Sequence, residues 1–309
     1  MKKYILIALL AIVLIVLANV VLNSRPKKME NLYDHGTLSC IPTKGTVAKP
    51  ERAINPWPWV YDQGAFDLLS DLRVEWIRHE FLWARIEPKR RGLNWDESDY
   101  VVRNARERGI QILGLLDYSA PWANKHKKEY YPPTNAQDYA TFVTEVVRRY
   151  KPNGVFAKQE GWTDGYGITH WEIWNEQNGP WFWLPLPNVA DYAEMLHQAN
   201  SAIRKIDESA VILHGGLDPA GKDIDPGLSL SGFLENMYVQ GAKDCFDVVN
   251  LHTYFFSDTS PTELNKTYLN PVKETMAKYG DSRKPIWITE FGYVTGPKGW
   301  TSEERQAEF

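Results

Sequence analysis

Two kinds of apolar segment alternate along most of this 309-residue chain, and the alternation limits the possible fold more than any other feature. Short β-branched and aromatic runs end in Gly, Asn or acidic residues, as buried strands do. Between them, residues 139–150 and 192–206 place apolar side chains three and four positions apart, which is typical of an amphipathic helix. Strands that alternate with helices form parallel βα units, so we predict an α/β fold around a parallel sheet.

Strand-like runs occur often enough to build most of a closed barrel. They lie at residues 74–81, 110–116, 168–175, 211–213, 246–254 and 285–290. A further strand with a weaker signal is expected at Thr46–Ala48, which brings the count to seven. An eight-stranded barrel needs about 250 residues, which the chain can supply. We therefore predict a (β/α)8 TIM barrel at residues 51–309 that is truncated before its eighth strand, so the sequence is expected to be a fragment.

An uncharged apolar run covers residues 4–22 and has basic residues on both sides. It is close to the roughly 20 residues that cross a bilayer, and no Ala-x-Ala cleavage site follows it. We predict a signal anchor or transmembrane helix within residues 1–28 and a catalytic domain outside the cytoplasm, with a cleaved leader and secretion as the alternative. Residues 29–50 mix Pro, Ser, Thr and Gly without periodicity and are predicted to form a stem.

The charge of the remaining chain excludes one class of partner. Residues 1–28 contain five basic and no acidic groups, which leaves 30 basic against 39 acidic groups, a net charge of −9. Nucleic acid is not expected as a partner, because proteins that bind it neutralise phosphates with Lys and Arg. No cluster of His, Cys or carboxylates has metal-ligand spacing, and no Gly-rich phosphate loop stands out. Neither a metal nor a cofactor is predicted, and no obligate protein partner is inferred.

The chain has only two cysteines, Cys40 and Cys245, so a framework of several disulfides is excluded. Two unpaired thiols are expected, with one disulfide between them as the alternative. In either case the fold is expected to depend on its apolar core, which a hydrophobic content of 43% can supply.

Two strand-like runs end at a glutamate, and this pair indicates a type of chemistry. The run at residues 168–175 is followed by Glu176, and Glu290 closes the run at residues 285–290. In a parallel barrel the carboxyl ends of the strands and the loops after them form one face, where active sites occur. Hydrolysis of a glycosidic bond needs two such carboxyls, one as proton donor and one as nucleophile or base. The alternative for each is a structural role as ion-pair partner or helix cap.

Five sequence motifs resemble those of one group of enzymes. They are Trp-Glu-Ile-Trp-Asn-Glu-Gln-Asn at 171–178, Trp-Ile-Thr-Glu-Phe-Gly at 287–292, Ile-Arg-His-Glu-Phe-Leu-Trp at 77–83 with Ile-Glu-Pro at 86–88, Asp-Tyr-Ser-Ala-Pro-Trp-Ala at 117–123, and His-Thr-Tyr at 252–254. In this order they resemble the clan A retaining glycoside hydrolases, most of all family 39 and the related endo-acting enzymes that cut bacterial exopolysaccharides. The resemblance covers residues 70–293.

The resemblance implies roles for several residues. Glu176 would be the acid/base and Glu290 the nucleophile. Arg78 and Tyr254 would keep Glu290 ionised, and Asn175 would bind the 2-hydroxyl of the sugar. An apolar neighbourhood rich in tryptophan would keep Glu176 protonated near neutral pH.

Other aromatic and polar residues have two alternative roles. His252 would contact sugar hydroxyls or be a hydrogen-bonded core residue. Tryptophans in loops expected above the catalytic face would stack on the apolar faces of sugars or simply pack. These are Trp122, Trp162, Trp181 and Trp183. Structural roles inside the barrel are expected for three further residues, His170, Glu172 and His214.

Together these features predict a membrane-anchored retaining glycosidase that cleaves β-linked polysaccharides or oligosaccharides. Aromatic insertions at residues 122–135 and 153–166 favour an open cleft and therefore internal cutting. Two alternatives stay open, namely an exo-acting enzyme similar to β-xylosidases and a non-catalytic barrel that binds glycans.

Overall fold

The computed structural model describes residues 39–56, 59–62, 64–255, 261–293, 295 and 302–306. The membrane segment predicted within residues 1–28 lies outside these ranges, as does the predicted stem up to residue 38. Among the helices that the structure does describe, none is both long enough and apolar enough to cross a bilayer.

Seven parallel strands follow one another in chain order. They are β1 (Ala53–Ile54), β2 (Trp76–Leu82), β3 (Gln111–Asp117), β4 (His170–Ile173), β5 (Val211–His214), β6 (Val249–Phe255) and β7 (Ile286–Tyr293). Strands β1 to β5 form one parallel sheet, and β6 pairs in parallel with β7. Single bridges from Leu213 to Val248 and from Leu217 to Leu251 connect the β5 segment with β6. The predicted parallel α/β architecture is confirmed.

Helices fill most of the connections between strands. They are α1 (Ala65–Asp71), α2 (Trp83–Ile86), α3 (Asp96–Glu107), α4 (Ala136–Tyr150), α5 (Val155–Gln159), α6 (Val189–Ile206), α7 (Leu230–Val239), α8 (Pro261–Leu264), α9 (Asn270–Lys278) and α10 (Glu303–Gln306), with a π-helix at Asn265–Leu269. The two longest begin at asparagine caps. Asn135 accepts a hydrogen bond from Gln137 N at 3.1 Å, and Asn188 accepts one from Ala190 N at 3.0 Å.

Alternating side chains of each strand face either the helices or the interior of the curved sheet. On β2, Ile77 and Phe81 belong to the core beneath the helices, whereas Trp76 faces inward. The His170 ring of β4 packs against Trp76, with centroids 5.0 Å apart, and stacks on Trp287 of β7 at 5.5 Å. Side chains from β2, β4 and β7 meet in this way because the sheet curls around them.

The curled sheet has a gap between β7 and β1. Among the described residues, β1 pairs with β2 and β7 pairs with β6, and no strand lies between β1 and β7. The gap is about 780 Å³ in volume and is lined by residues from β1, β2 and β7 that include Ile54, Trp76 and Ile288. The described part of the chain therefore has seven strands in barrel order, and its barrel is not closed.

The first strand differs from the prediction. Residues Thr46–Ala48 form no strand, and β1 lies five residues further along. Val47 packs against the interior apolar cluster, and Ala48 N donates to His170 Nε2 at 3.1 Å rather than to a neighbouring backbone. The segment is thus held by interior side chains and not by a neighbouring strand.

The two cysteines form a disulfide, so the expectation of unpaired thiols was wrong. Cys40 and Cys245 are bonded, with Cα atoms 4.8 Å apart. Asn200 of α6 joins the segments that carry them, since its Nδ2 donates to Ile41 O at 3.1 Å and to Cys245 O at 3.2 Å. Residues 39–50 therefore pack on the barrel, whereas the predicted stem extended to residue 50.

Candidate active site

Two glutamates lie together at the carboxyl end of the sheet. Glu176 follows β4, and Glu290 lies within β7. One carboxylate oxygen of each, together with a ring nitrogen of His252 on β6, lies within 4.8 Å of the other two atoms. Glycosidases that retain configuration hold their two carboxyl groups about 5 to 5.5 Å apart. The structure thus places the two predicted catalytic residues at a separation that suits this chemistry.

The turn that carries Glu176 has an unusual backbone. Trp174 and Glu176 have φ values of 67° and 50°, in a left-handed region that residues other than glycine seldom adopt. Hydrogen bonds to the loop after β5 hold the turn, because Glu176 N donates to Gly216 O at 3.1 Å and Gln177 Nε2 donates to Gly215 O at 2.9 Å. Backbone strain of this kind concentrates at functional sites.

Arg78 of β2 donates hydrogen bonds to three residues of the site. Its Nε donates to Glu172 Oε2 at 2.7 Å and its Nη2 to Glu172 Oε1 at 2.9 Å, so the two side chains form a bidentate pair. The same guanidinium donates to Glu290 Oε1 at 2.7 Å and to Asn175 Oδ1 at 2.8 Å. Arg78 and Glu172 are both buried, and each neutralises the charge of the other. Arg78 also positions Glu290 and Asn175 through these hydrogen bonds.

Glu290 is surrounded by groups that favour its ionised form. Tyr254 donates its hydroxyl to Glu290 Oε2 at 2.7 Å, and Arg78 binds the other oxygen. Burial alone would raise the pKa of Glu290, but the positive charges of a protonated His252 and of Arg78, together with the bonds from Tyr254 and Arg78, outweigh it and leave the pKa below its ordinary value. A carboxylate, the form that a nucleophile needs, is therefore favoured here.

Glu176 has the opposite environment. Burial raises the pKa of Glu176 above its ordinary value, a hydrogen bond donated by His252 would oppose the shift, and the negative charges of Asp218 and Glu290 add to it. The His252 contact joins Nδ1 to Glu176 Oε1 at 2.8 Å. The pKa values of the two glutamates are thus shifted in opposite directions, which is the arrangement that separates an acid from a nucleophile.

Asn175 is oriented by a residue that the sequence analysis did not assign. Its Nδ2 donates to the Tyr118 hydroxyl at 3.0 Å while its Oδ1 accepts from Arg78. Tyr118 follows β3 with φ of 52° and packs edge-on against Trp174, with ring centroids 5.4 Å apart. Tyr118 lies within the motif at 117–123, directly after a strand end. This position could have identified it as a residue of the site.

Two more carboxyls face the interior near Arg78, and both were missed. Burial raises the pKa of Glu80 to about 7, with the negative charge of Glu290 adding to the effect and Arg78 opposing it. Burial and the charge of Glu80 raise the pKa of Asp117 well above its ordinary value, and neither Asp117 oxygen has a hydrogen-bond partner among the described residues. Alternation along β2 could have revealed Glu80, because it lies two residues from Arg78 and faces the same side.

The predicted tryptophans do not all reach the site. Trp183 is 1% exposed and packs against Trp174 and Tyr192, with centroids 5.1 and 5.9 Å away, so its predicted contact with sugar was wrong. Residue 183 follows the turn of Glu176, but its ring is part of the buried core. Trp181 is 63% exposed and remains available to a ligand.

Two other tryptophans are engaged with the protein. Trp122 is partly buried, donates through Nε1 to Glu87 O at 2.8 Å, and has the Arg90 guanidinium 4.5 Å from its ring. Trp162 packs on Phe156. The insertion at 153–166 connects α4 to the start of β4, so it lies at the amino ends of the strands, away from the two glutamates. Its predicted contribution to the cleft was wrong for that reason.

The interior histidines are held by hydrogen bonds, as predicted. His170 Nδ1 lies 2.8 Å from Thr169 Oγ1, and its Nε2 accepts from Ala48 N. His214 Nδ1 lies 2.8 Å from Gly215 O, and its Nε2 accepts from Asn250 N at 3.1 Å. Burial lowers the pKa of each to about 4, so both rings are neutral at pH 7.

Within the described ranges, one group of side chains has the spacing of a metal site, namely Glu176, His252 and Glu290. These atoms already bond to one another or to the Arg78 cation. A second cation would have to compete with the guanidinium for Glu290. The arrangement suits acid–base chemistry between two carboxyls better than metal coordination.

Comparison with known proteins agrees with this geometry. The sequence profile of the family described as Cellulase (glycosyl hydrolase family 5) matches residues 44–308. The anti-sigma-I factor RsgI6 of Acetivibrio thermocellus is 23% identical over 277 residues, which are 89% of this chain and 32% of that protein. The chain therefore spans about a third of the length of this relative.

Solved structures of glycoside hydrolases share the fold. A glucosidase from Croceicoccus marinus superposes with a TM-score of 0.59 at 17% identity, over 86% of this chain and 56% of that one. A family 39 glycoside hydrolase from Bacteroides cellulosilyticus WH2 gives 0.56 at 19% identity, over 83% and 50%. A monomeric β-xylosidase from Caulobacter crescentus CB15 gives 0.57 at 16% identity, over 83% and 55%.

These structural likenesses support the fold, and the chain covers about half the length of each structure. The sequence resemblance to clan A is confirmed, while the match of the sequence profile is to family 5 rather than to family 39. That match extends over most of the chain and over both glutamates. The protein therefore belongs to the Cellulase family, glycosyl hydrolase family 5, and is a clan A glycoside hydrolase.

Proposed function

We propose that this protein is a retaining glycosidase that hydrolyses β-linked polysaccharides or oligosaccharides by double displacement. One observation carries the proposal. One carboxylate oxygen of Glu176 and one of Glu290 lie within 4.8 Å of each other, in environments that raise the pKa of Glu176 and lower the pKa of Glu290. A proton donor and an ionised nucleophile at this separation are what the retaining reaction requires.

In the first step, a Glu290 oxygen attacks the anomeric carbon and the bond to the leaving oxygen breaks. Glu176 gives its proton to that oxygen, so the leaving group departs as an alcohol and the sugar becomes an ester on Glu290. The hydrogen bonds from Arg78 and Tyr254 to Glu290 weaken as the carboxylate becomes a neutral ester. Asn175 is positioned by Arg78 and Tyr118 to bind the 2-hydroxyl of the same sugar.

In the second step, Glu176 acts as a base. It removes a proton from water, the resulting hydroxide attacks the anomeric carbon, and the ester bond to Glu290 breaks. The product has the original anomeric configuration, Glu290 is again a carboxylate and Glu176 is again protonated.

We infer internal cutting of a long chain as the mode of action. Trp181 supports this inference, since its exposed ring follows the turn of Glu176 and offers an apolar face to a neighbouring sugar. An exo-acting enzyme is the second candidate, and the likeness to the Caulobacter crescentus β-xylosidase favours it. Product lengths from a defined oligosaccharide separate the two, because an exo-acting enzyme releases one terminal unit at a time.

We also propose that the catalytic domain acts outside the cytoplasm, held at a membrane by the apolar residues 4–22. The disulfide between Cys40 and Cys245 supports an oxidising location, because such bonds are rare in the cytosol. Fractionation of cells that express the complete gene product, followed by protease treatment of intact cells, would test both parts.

The proposed reaction is tested by changing each glutamate separately. Glu176→Ala and Glu290→Ala are assayed on an activated aryl β-glycoside, with Glu145→Ala on the exposed face of α4 as the matched control. Glu290→Ala is expected to lose at least about 10³-fold in kcat because the nucleophile is gone. Glu176→Ala should lose a similar factor in kcat because the second step has no base, although its kcat/KM on this activated substrate should change little. Azide should rescue the two variants with opposite stereochemistry. Azide rescue of Glu290→Ala yields an α-glycosyl azide, whereas rescue of Glu176→Ala yields a β-glycosyl azide. Wild-type rates in both variants would leave a non-catalytic glycan-binding barrel as the better description.

A further inference from the structure

His252 lies between the predicted acid and a short polar chain on the opposite side of its ring. Nδ1 is 2.8 Å from Glu176 Oε1, and Nε2 is 3.1 Å from Thr289 Oγ1. The Thr289 hydroxyl in turn donates to Asn250 Oδ1 at 2.8 Å. His252 is fully buried, so these neighbours rather than bulk water decide where its protons lie.

The direction of the last hydrogen bond determines the others. A threonine hydroxyl has one proton, and Thr289 gives that proton to Asn250. Towards His252 the Thr289 oxygen can therefore only accept, so the proton on a neutral His252 ring belongs on Nε2. The other ring nitrogen, Nδ1, then presents a lone pair to Glu176.

We propose that Asn250 and Thr289 fix the Nε2–H tautomer of His252 and thereby keep the acid proton on Glu176 up to a higher pH. Thr289 is a positioning residue, and the inference rests on the proposed glycosidase function. If Glu176 loses its proton while Nδ1 carries only a lone pair, two electron-rich atoms face each other at 2.8 Å. That contact disfavours the ionised acid, whereas an Nδ1–H tautomer would stabilise it.

The same arrangement assists the second step of the reaction. When Glu176 is a carboxylate in the glycosyl-enzyme, the lone pair on Nδ1 makes it a stronger base towards water. A histidine free to donate from Nδ1 would hold the carboxylate in a bond and weaken it as a base. The tautomer of His252 thus acts on both halves of the catalytic cycle.

Three other titratable groups surround the His252 ring. From β7, Glu290 Oε1 lies 3.6 Å from His252 Nε2. From β5 and the loop after it, His214 and Asp218 interact electrostatically with His252. Since Glu290 lies on the Nε2 side of the ring, its negative charge also favours a proton on Nε2. The ring lies directly against the backbone of Gly216, where a Cβ would be only 2.0 Å from Nε2.

Thr289→Val tests the proposal, with Thr289→Ser as the matched control. Valine has a similar shape but cannot accept from Nε2, so the Nδ1–H tautomer becomes available in the variant. The basic limb of the kcat/KM profile should then fall by about one pH unit on a substrate with a poor leaving group. Serine keeps the oxygen and should leave the limb within about 0.2 unit of the wild type. A Thr289→Val enzyme that is folded, active and unshifted in pH profile would overturn the proposal.

Nitrogen NMR gives a second measurement that does not depend on activity. In the 15N-histidine-labelled protein above the pKa of the site, the His252 signals should show a protonated Nε2 and an unprotonated Nδ1. A His252→Gln variant assigns the signals. A protonated Nδ1 in the wild type would contradict the inference even if Glu176 and Glu290 both proved essential. The activity of the Glu176 and Glu290 variants therefore tests the proposed function. The tautomer of His252, measured by NMR, tests this proposal separately.

Discussion

The two halves of the candidate active site each surround a glutamate, but they shift its pKa in opposite directions. On the β2 and β7 side, Glu290 has a guanidinium at 2.7 Å and a phenol at 2.7 Å. On the β4 and β6 side, Glu176 lies against the imidazole of His252 and near a second carboxyl, Asp218. Burial pushes both pKa values upward, and only on the Glu290 side do positive charge and donors reverse the shift. The identity of the neighbours, and not burial, separates acid from nucleophile.

This difference has a defined pH dependence. Activity of the free enzyme should fall at low pH as Glu290 becomes protonated and at high pH as Glu176 loses its proton. Since the pKa of Glu290 is lowered and that of Glu176 is raised, the active window lies between them. A substitution that removes a neighbour of one glutamate should therefore move one limb of that profile.

Removal of Arg78 should have the largest effect. Arg78→Gln takes the positive charge from Glu290, so the pKa of Glu290 rises, the acidic limb moves to higher pH, and kcat/KM falls by about 10³-fold. It also leaves Glu172 buried without its partner, which should lower the free energy of unfolding by about 3 to 5 kcal/mol. Arg85→Gln, which breaks an exposed ion pair with Glu97, is the control and should change stability by less than about 1 kcal/mol. An unmoved acidic limb in a folded Arg78→Gln protein would contradict the role of this charge.

Loss of the acid should depend on the leaving group. Glu176→Gln cannot donate a proton, so kcat/KM should fall by about 10² to 10³-fold on a substrate whose leaving group needs protonation. On a dinitrophenyl glycoside, whose leaving group departs unprotonated, the fall should stay below about tenfold. Steady-state kinetics on the two substrates check this, and equal losses on both would assign Glu176 a different role.

Tyr254→Phe should sharpen the comparison with a smaller change. The variant removes one donor to Glu290 but leaves Arg78 in place, so the pKa of Glu290 should rise modestly and the acidic limb should move up by about half a pH unit. A fall of about tenfold in kcat/KM is expected. Tyr61→Phe serves as a control at another partly buried tyrosine, and a shift in the basic limb instead would count against the assignment.

The exposed and buried tryptophans after the Glu176 turn should behave differently. Trp181→Ala is expected to raise KM several-fold for a polysaccharide while leaving the melting temperature unchanged, since the ring is 63% exposed. Trp183→Ala should instead lower the free energy of unfolding by about 3 to 5 kcal/mol, because it empties a packed position. Thermal unfolding and kinetics of both variants measure the contrast. A stability loss in Trp181→Ala would remove the argument for a sugar platform.

Local patterns predicted those parts of the fold that depend on neighbours in sequence. The apolar spacing at 139–150 and 192–206 predicted α4 and α6, and the buried residues of both helices follow that spacing. The run ending at Glu290 corresponds to β7. Thr46–Ala48 has strand-like residues too, but their partners are an interior cluster and a histidine ring distant in sequence. No local pattern carries that information.

The sequence by itself determined the order of strands and helices and the two strand ends at which the glutamates sit. It did so because strand and helix periodicities are local and because parallel strands bring their carboxyl ends to one face. Only the tertiary structure decided that Cys40 bonds to Cys245, that Trp183 is buried, and that one arginine binds both Glu172 and Glu290. These facts depend on distances between segments far apart in the chain. Those distances also place Thr289 beside His252, on which the proposed control of the acid proton depends.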